Sequence, residues 1–243
     1  PPISTLFPYT TLFRSMRGYG ITILVTIIGT LANLTLSILI AYPLSRRDLP
    51  HRNVFAFIIF FTMLFNGGLV PSYIMWTQLF GIKNTLFALL IPNLMLNAFY
   101  VIMMRTYFST NIPMEIIEAA KIDGAHETRV LTRVVLPMSL PILATVGLMV
   151  GLLYWNDWTN GLYYLNDTRL FSIQNILNRM LLDAQFMATF GGQMGGVTGE
   201  VRNLPSVSLR MAVAAIGAIP ILIIYPFFQR YFVKGITVGA VKG

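Results

Sequence analysis

A polytopic, all-α membrane bundle is the fold class this sequence predicts, and three features predict it. The 243 residues are 56% hydrophobic and only 11% charged, where a soluble domain carries about a quarter charged residues. The charges are gathered so that none falls between Arg17 and Arg46, Arg52 and Lys83, Lys83 and Arg105, Arg133 and Asp157, or Arg210 and Arg230. Each interval is near or above the roughly 20 apolar residues that cross a hydrocarbon core about 30 Å thick. Lipid offers backbone polar groups no partner, so the spanning form is the helix. The short alternating segments of a barrel are absent.

Five spans are expected. The first covers about residues 19–42 and ends at Pro43 and the Ser45-Arg46-Arg47 cluster. The second covers about 54–65. Asn66-Gly67-Gly68 and Pro71 then break the helix, and the apolar run to Phe80, with Tyr73 and Trp76, suits an interfacial hairpin on the outer side. The third covers about 86–104 and contains Pro92, Asn93 and Asn97. The fourth covers about 136–155, where Gly147 and Gly151 form a GxxxG pair that lets helices approach closely. An external segment of about 157–208 follows. Within it Ile173, Ile176, Leu177, Met180 and Leu181 make one face of an amphipathic helix, read as lying against the membrane or its own bundle. The fifth span covers about 211–228.

The net charge of +8 does not require nucleic acid. Basic residues sit between spans, in alternate loops, as positive-inside bias demands. Arg46, Arg47 and Arg52 form one cluster; Arg105, Lys121, Arg129 and Arg133 a second; Arg230, Lys234 and Lys242 a third. All three are assigned to the cytoplasm. No cysteine occurs, which excludes disulfides and thiolate metal sites.

Residues 1–15, PPISTLFPYTTLFRS, stop just before Met16 and resemble translated sequencing-adapter sequence. They are read as non-native and set outside the fold argument. Residues 16–243 are read as one transmembrane domain.

The most informative stretch is 111–141, NIPMEIIEAAKIDGAHETRVLTRVVLPMSLP. Asn111 and Pro113 are helix-start residues, and Glu115 adds an acid near the positive helix end. Gly124 is a natural terminator or sharp turn. A second helix follows, with Leu131, Val134, Val135 and Met138 on one face and His126, Arg129 and Arg133 on the other. Pro137 and Pro141 mark the junction into the fourth span. The stretch therefore reads as two short helices meeting at a glycine.

Here the residues carry a resemblance. Glu118-Ala119-Ala120, Asp123-Gly124-Ala125 and Leu136-Pro137, at this spacing, resemble the EAA loop of ABC importer permeases. The C-terminal FFQRYFVKGITVGAVKG resembles the end of carbohydrate-uptake permeases of the maltose type, in the LplC/YtcP-like branch. The resemblance implies the type I ABC importer permease fold, a multi-pass place in the bacterial cytoplasmic membrane, and a coupling loop at about 105–137. It implies that the loop sits in a cleft of a separate ATPase subunit. Glu118 would pair with a basic residue there, Ala119 and Ala120 would permit close approach, and Gly124 would make the turn. It also implies a second, different permease chain, an extracytoplasmic solute-binding protein and a carbohydrate, expected to be an oligosaccharide. The family usually has six spans with the N-terminus inside, whereas five are counted here, so one upstream span is expected to be missing.

Polar groups at membrane depth are costly unless they face protein or water. Asn33, Asn93 and Asn97 are such groups, and Trp155, Asn156, Asp157 and Trp158 gather at an outer helix end. These are the candidate pathway residues; ordinary interhelical bonding and an interfacial aromatic belt are the competing account. No catalytic, metal or cofactor site is expected. There is no P-loop, GxSxG or HExxH, and His51 and His126 are isolated. Asp123 and Glu127 form a possible carboxylate pair, better explained by capping or docking. The rival reading is a secondary transporter or channel subunit, disfavoured by spans with no charge in their cores.

Overall fold

The computed structural model describes residues 3–65, 67–190, 211, 215, 217–223 and 226. The described residues are helical, with no β-strand among them. They fall into two compact units, one of Pro1–Thr26, Tyr73–Leu90 and Tyr154–Tyr225, the other of Ile27–Ser72, Ile91–Leu153 and Pro226–Gly243.

Helix α1, Ile3–Ser45, takes in residues 3–15 as well as the apolar stretch. Its Met16–Ser45 part is 30 residues with a mean hydropathy of 2.3, enough by length and composition to cross a membrane. Among the described residues it is the one unbroken helix that does so. Two bent pairs, Arg52–Leu64 with Leu69–Leu79 and Glu127–Met138 with Leu140–Asn156, bring the number to three if each is one span. The five expected spans are thus not all single helices, and 8 of the residues 211–228 lie outside the described residues.

Helix α2 is Arg52–Leu64. The expected break after it is present, with Phe65 extended and Gly68 at φ 85°. The run beyond is not a simple hairpin. Helix α3, Leu69–Ile74, resumes there and continues as a π-helical turn, Met75–Leu79. Pro71 is its third residue, where the missing N–H has no helical acceptor to lose. It therefore begins a helix rather than ending one.

The third expected span is broken. Helix α4, Phe87–Leu90, stops at Pro92, and Asn93 turns the chain at φ 61°. Helix α5, Ala98–Asn111, starts afresh with Asn97 as its cap. It runs seven residues past the expected end, so Asn111 closes a helix instead of opening one. The polar extension is held in part by α1, since Arg105 Nε donates to the Leu44 carbonyl at 3.1 Å.

Helix α6 is Met114–Ile122 and helix α7 is Glu127–Val130, which continues through a π turn, Leu131–Val135, into α8, Leu136–Met138. Helix α9, Leu140–Asn156, is the fourth span. Its GxxxG pair does what the pattern promised. A methyl on Gly147 would lie 3.3 Å from Leu34 Cδ1, and one on Gly151 would lie 3.5 Å from Thr30 Oγ1. Small residues thus let α9 and α1 come together.

In the other unit, α10 is Thr159–Tyr164 and α11 is Ile173–Phe190. The amphipathic face of α11 is buried at Ile173, Ile176 and Leu177 and fades at Met180, which is exposed. That face packs within its own bundle, and the Ile173 N–H donates to Thr22 Oγ1 at 2.9 Å. Tyr73 stacks on the fully buried Tyr164 at 5.8 Å between ring centroids.

Candidate functional site

The site is the polar connector between α5 and α9. Pro113, in extended conformation, stands at the N-cap of α6, and Glu115 lies in its first turn. Ile117 is the buried anchor of the helix. The remaining surface is open, with Glu118, Ala119, Lys121 and Asp123 exposed and Ile122 bare at 86% of its full surface. Among the described residues the Glu118 carboxylate has no hydrogen-bond or ion-pair partner.

The end of α6 is a Schellman turn. The Ala125 N–H donates to the Ala120 carbonyl and the Gly124 N–H to the Lys121 carbonyl, each at 3.0 Å. Gly124 is the left-handed residue this motif needs, at φ 76°. No atom lies within 4 Å of where its Cβ would be, so a side chain there is opposed by backbone strain alone. His126, exposed, caps the next helix, and Glu127 opens α7 with a carboxylate at the positive helix end.

Val130 and Val135 are fully buried, and Leu131 and Val134 are half-buried. Met138, the last member of the expected apolar face, is exposed. His126, Arg129 and Arg133 are exposed on the opposite side, as expected. Leu136 is half-buried and Pro137 exposed. At Ser139 the chain bends by 82° into α9, and Ser139 Oγ donates to the Val135 carbonyl at 2.7 Å.

How this connector is tied to α1 is visible only in the structure. Tyr42 Oη donates to Glu127 Oε2 at 2.6 Å. Lys121 Nζ lies 2.6 Å from Glu127 Oε1 and 3.6 Å from Asp48 Oδ2. Arg46 reaches both oxygens of Asp48, at 3.3 and 3.4 Å. Lys121 and Tyr42, donating to Glu127, hold its carboxyl below the ordinary range, and Arg46 does the same for Asp48. Among the described residues Asp123 has no part in this network, and Glu127 is engaged by Lys121 and Tyr42. Beside the network lies a cavity of about 420 Å³, walled mainly by Leu39, Pro43, Leu49, Pro50 and Leu131.

The pathway candidates divide. Asn33 is fully buried; its amide donates to the Leu94 carbonyl at 2.7 Å and its oxygen accepts from Ser37. Asn97 accepts from the Phe99 N–H as a helix cap. Trp155 is buried, with its indole N–H on the Gly217 carbonyl at 3.1 Å. Asp157 accepts from Thr159 Oγ1 and the Asn160 N–H, and burial pushes its carboxyl above the ordinary value. Asn93, Asn156 and Trp158 are exposed.

Known proteins resemble this chain in sequence and, in one solved case, in fold. The chain is 38% identical over 223 residues to the polygalacturonan/rhamnogalacturonan transport system permease protein YtcP of Bacillus subtilis, covering 92% of this chain and 76% of that one. It is 35% identical over 246 residues to protein LplC of the same organism, covering all of this chain and 81% of that one. A chain in the crystal structure of a bacterial ABC transporter that imports the acidic polysaccharide alginate superposes with a TM-score of 0.76 at 32% identity. That match covers 90% of this chain and 75% of the other. Residues 4–238 match the family described as the binding-protein-dependent transport system inner membrane component, and the chain belongs to that family.

Proposed function

We propose that this chain is the transmembrane subunit of an ATP-driven importer of the bacterial cytoplasmic membrane. It forms the pathway for an oligosaccharide and takes its driving force, through residues 105–137, from an ATPase on another polypeptide. The observation that supports this most directly is the outward surface of α6. There an unpaired Glu118, small Ala119 and bare Ile122 sit on a helix fixed by the Gly124 turn. A helix whose apolar tip and carboxylate are both unsatisfied is built to enter another protein's cleft. Ala120, Asp123 and Ala125 shape the same turn, and Leu136-Pro137 carry it toward α9.

The remaining partners are a second, different permease chain and an extracytoplasmic solute-binding protein. YtcP is named for a polygalacturonan/rhamnogalacturonan transport system, and the similar solved transporter is involved in the import of the acidic polysaccharide alginate. An oligosaccharide bearing uronic acids is accordingly the first solute to try. Within the unit of Ile91–Leu153, exposed Asn93 is proposed as a solute-facing residue, with Asn33 and Asn97 holding the helices there. In the other unit, taken by itself, Trp155, Asn156, Asp157 and Trp158 are proposed as pathway residues at the end of α9.

The test is Glu118→Lys in the co-expressed transporter. It is expected to insert normally and to lose most of the ATPase that co-purifies with the wild-type chain. Undiminished ATPase capture by that variant would refute the docking role.

A further inference from the structure

We propose that Lys121, Glu127 and Tyr42 are positioning residues that make the coupling turn and the end of α1 move as one piece. The inference rests on the docking role proposed for α6. It starts from the closure of the side-chain contacts. They leave the last turn of α1 at Tyr42, pass to Glu127 on α7, then to Lys121 on α6, then to Asp48, and return through Arg46, whose guanidinium lies 6.0 Å from the Tyr42 ring centroid. The chain of contacts therefore begins and ends on α1.

Its two ends are fixed and its middle is open. Tyr42 and Arg46 are 7% and 6% exposed, whereas the side chains of Asp48, Lys121 and Glu127 are 55%, 37% and 53% exposed. Half-exposed ion pairs add little to folding stability, so stability does not account for the network. Tyr42, Arg46, Asp48 and Glu127 also line an open groove between the end of α1 and α7, together with Leu39, Leu49 and Leu131. Along that groove apolar packing between the two elements is incomplete, and the polar contacts join them there.

Lys121 sits three residues after Glu118 on α6, one turn along the same helix side. A displacement received at Glu118 is thus delivered one turn away to an ammonium held by two carboxylates. One of these, Asp48, lies just after α1, and the other, Glu127, is gripped by α1 through Tyr42.

The chain has no cysteine, so two can be placed without background. Spin labels at Arg47→Cys and Thr132→Cys, both exposed positions, report the gap between the end of α1 and the helix that follows the turn. The measurement is made on the assembled transporter with its ATPase, in vesicles, with and without a non-hydrolysable ATP analogue. With the contacts intact the distance is expected to stay the same in both conditions. In Lys121→Met or Glu127→Gln, with ATPase capture unchanged, it is expected to shift by about 2 Å or more when the nucleotide is added. Lys121→Arg, which keeps the cation, is expected to restore the single distance. A distance that moves in the otherwise unaltered chain, or stays fixed in both neutralising variants, would overturn the inference. Loss of ATPase capture in Lys121→Met and Glu127→Gln would also overturn it, by showing a plain structural brace. If the unaltered chain captured no ATPase, the docking role would fail and take this inference with it.

Discussion

Two interruptions of helical backbone, both in the unit that holds Ile91–Leu153, are stabilised in different ways. The turn at Gly124 is exposed and self-sufficient. Its orphan carbonyls are met by N–H groups three to five residues away, and a left-handed glycine does the rest. The break over residues 91–97 is only partly buried, with Pro92 buried and Asn93 and Leu96 exposed. Beside its local bonds it takes one partner from far along the chain, the Asn33 amide, which reaches the Leu94 carbonyl across 61 positions of sequence. The Gly124 turn closes on local chemistry alone, whereas this break also draws on a distant part of the fold.

The comparison can be pressed by substitution. The largest effect is expected from Asn33→Leu, which keeps the volume but strips the Leu94 carbonyl of its donor. An unmet buried acceptor costs about 2 kcal/mol, read as a lower unfolding midpoint of the purified chain in detergent. A neutral result would mean that the break does not depend on its distant partner. Next comes Gly124→Val, which forces a β-branched residue to φ 76° for about 1.5 kcal/mol. It should also weaken ATPase capture, because the turn sets the direction of α6. Gly124→Asn is expected to cost less than half as much, since Asn tolerates the left-handed region. Equal losses for Val and Asn would point to something other than backbone strain. A loss between those of the two Gly124 variants is expected from Asn97→Ala, which removes the cap on α5 for about 1 kcal/mol. Amide exchange should then speed up over the first turn of α5 and leave the Gly124 turn unchanged.

What was legible in the sequence follows the same division. The two helices at Gly124, the buried Val135, the exposed His126, Arg129 and Arg133, and the close approach at Gly147 and Gly151 all rest on signals within a few residues of each other. The interruption of the third span was only half legible. Asn93 and Asn97 stand out in the sequence as polar residues at membrane depth, and Pro92 as a member of the same span, but their roles as left-handed turn, cap and breaker depend on where the backbone goes. The Tyr42–Glu127 contact joins residues 85 positions apart, and no periodicity or spacing encodes such a pair. The end of α5 was missed for a different reason. Hydropathy stops at Met104, but the backbone ladder runs on to Asn111, and the hydroxyls of Thr106, Ser109 and Thr110 are accommodated there by bonding back to the preceding turn.

The bend at Ser139 has a mechanical meaning. Two helical arms at 82° make a bell-crank. A sideways push on the short arm, α7 with α8, becomes a rocking of the long one, α9. With 17 residues that arm is about 26 Å long, so rocking by about 6° carries its far end about 2.5 Å. A push on the shorter arm is thereby turned through a near right angle and emerges as a slightly larger displacement at the far end of α9.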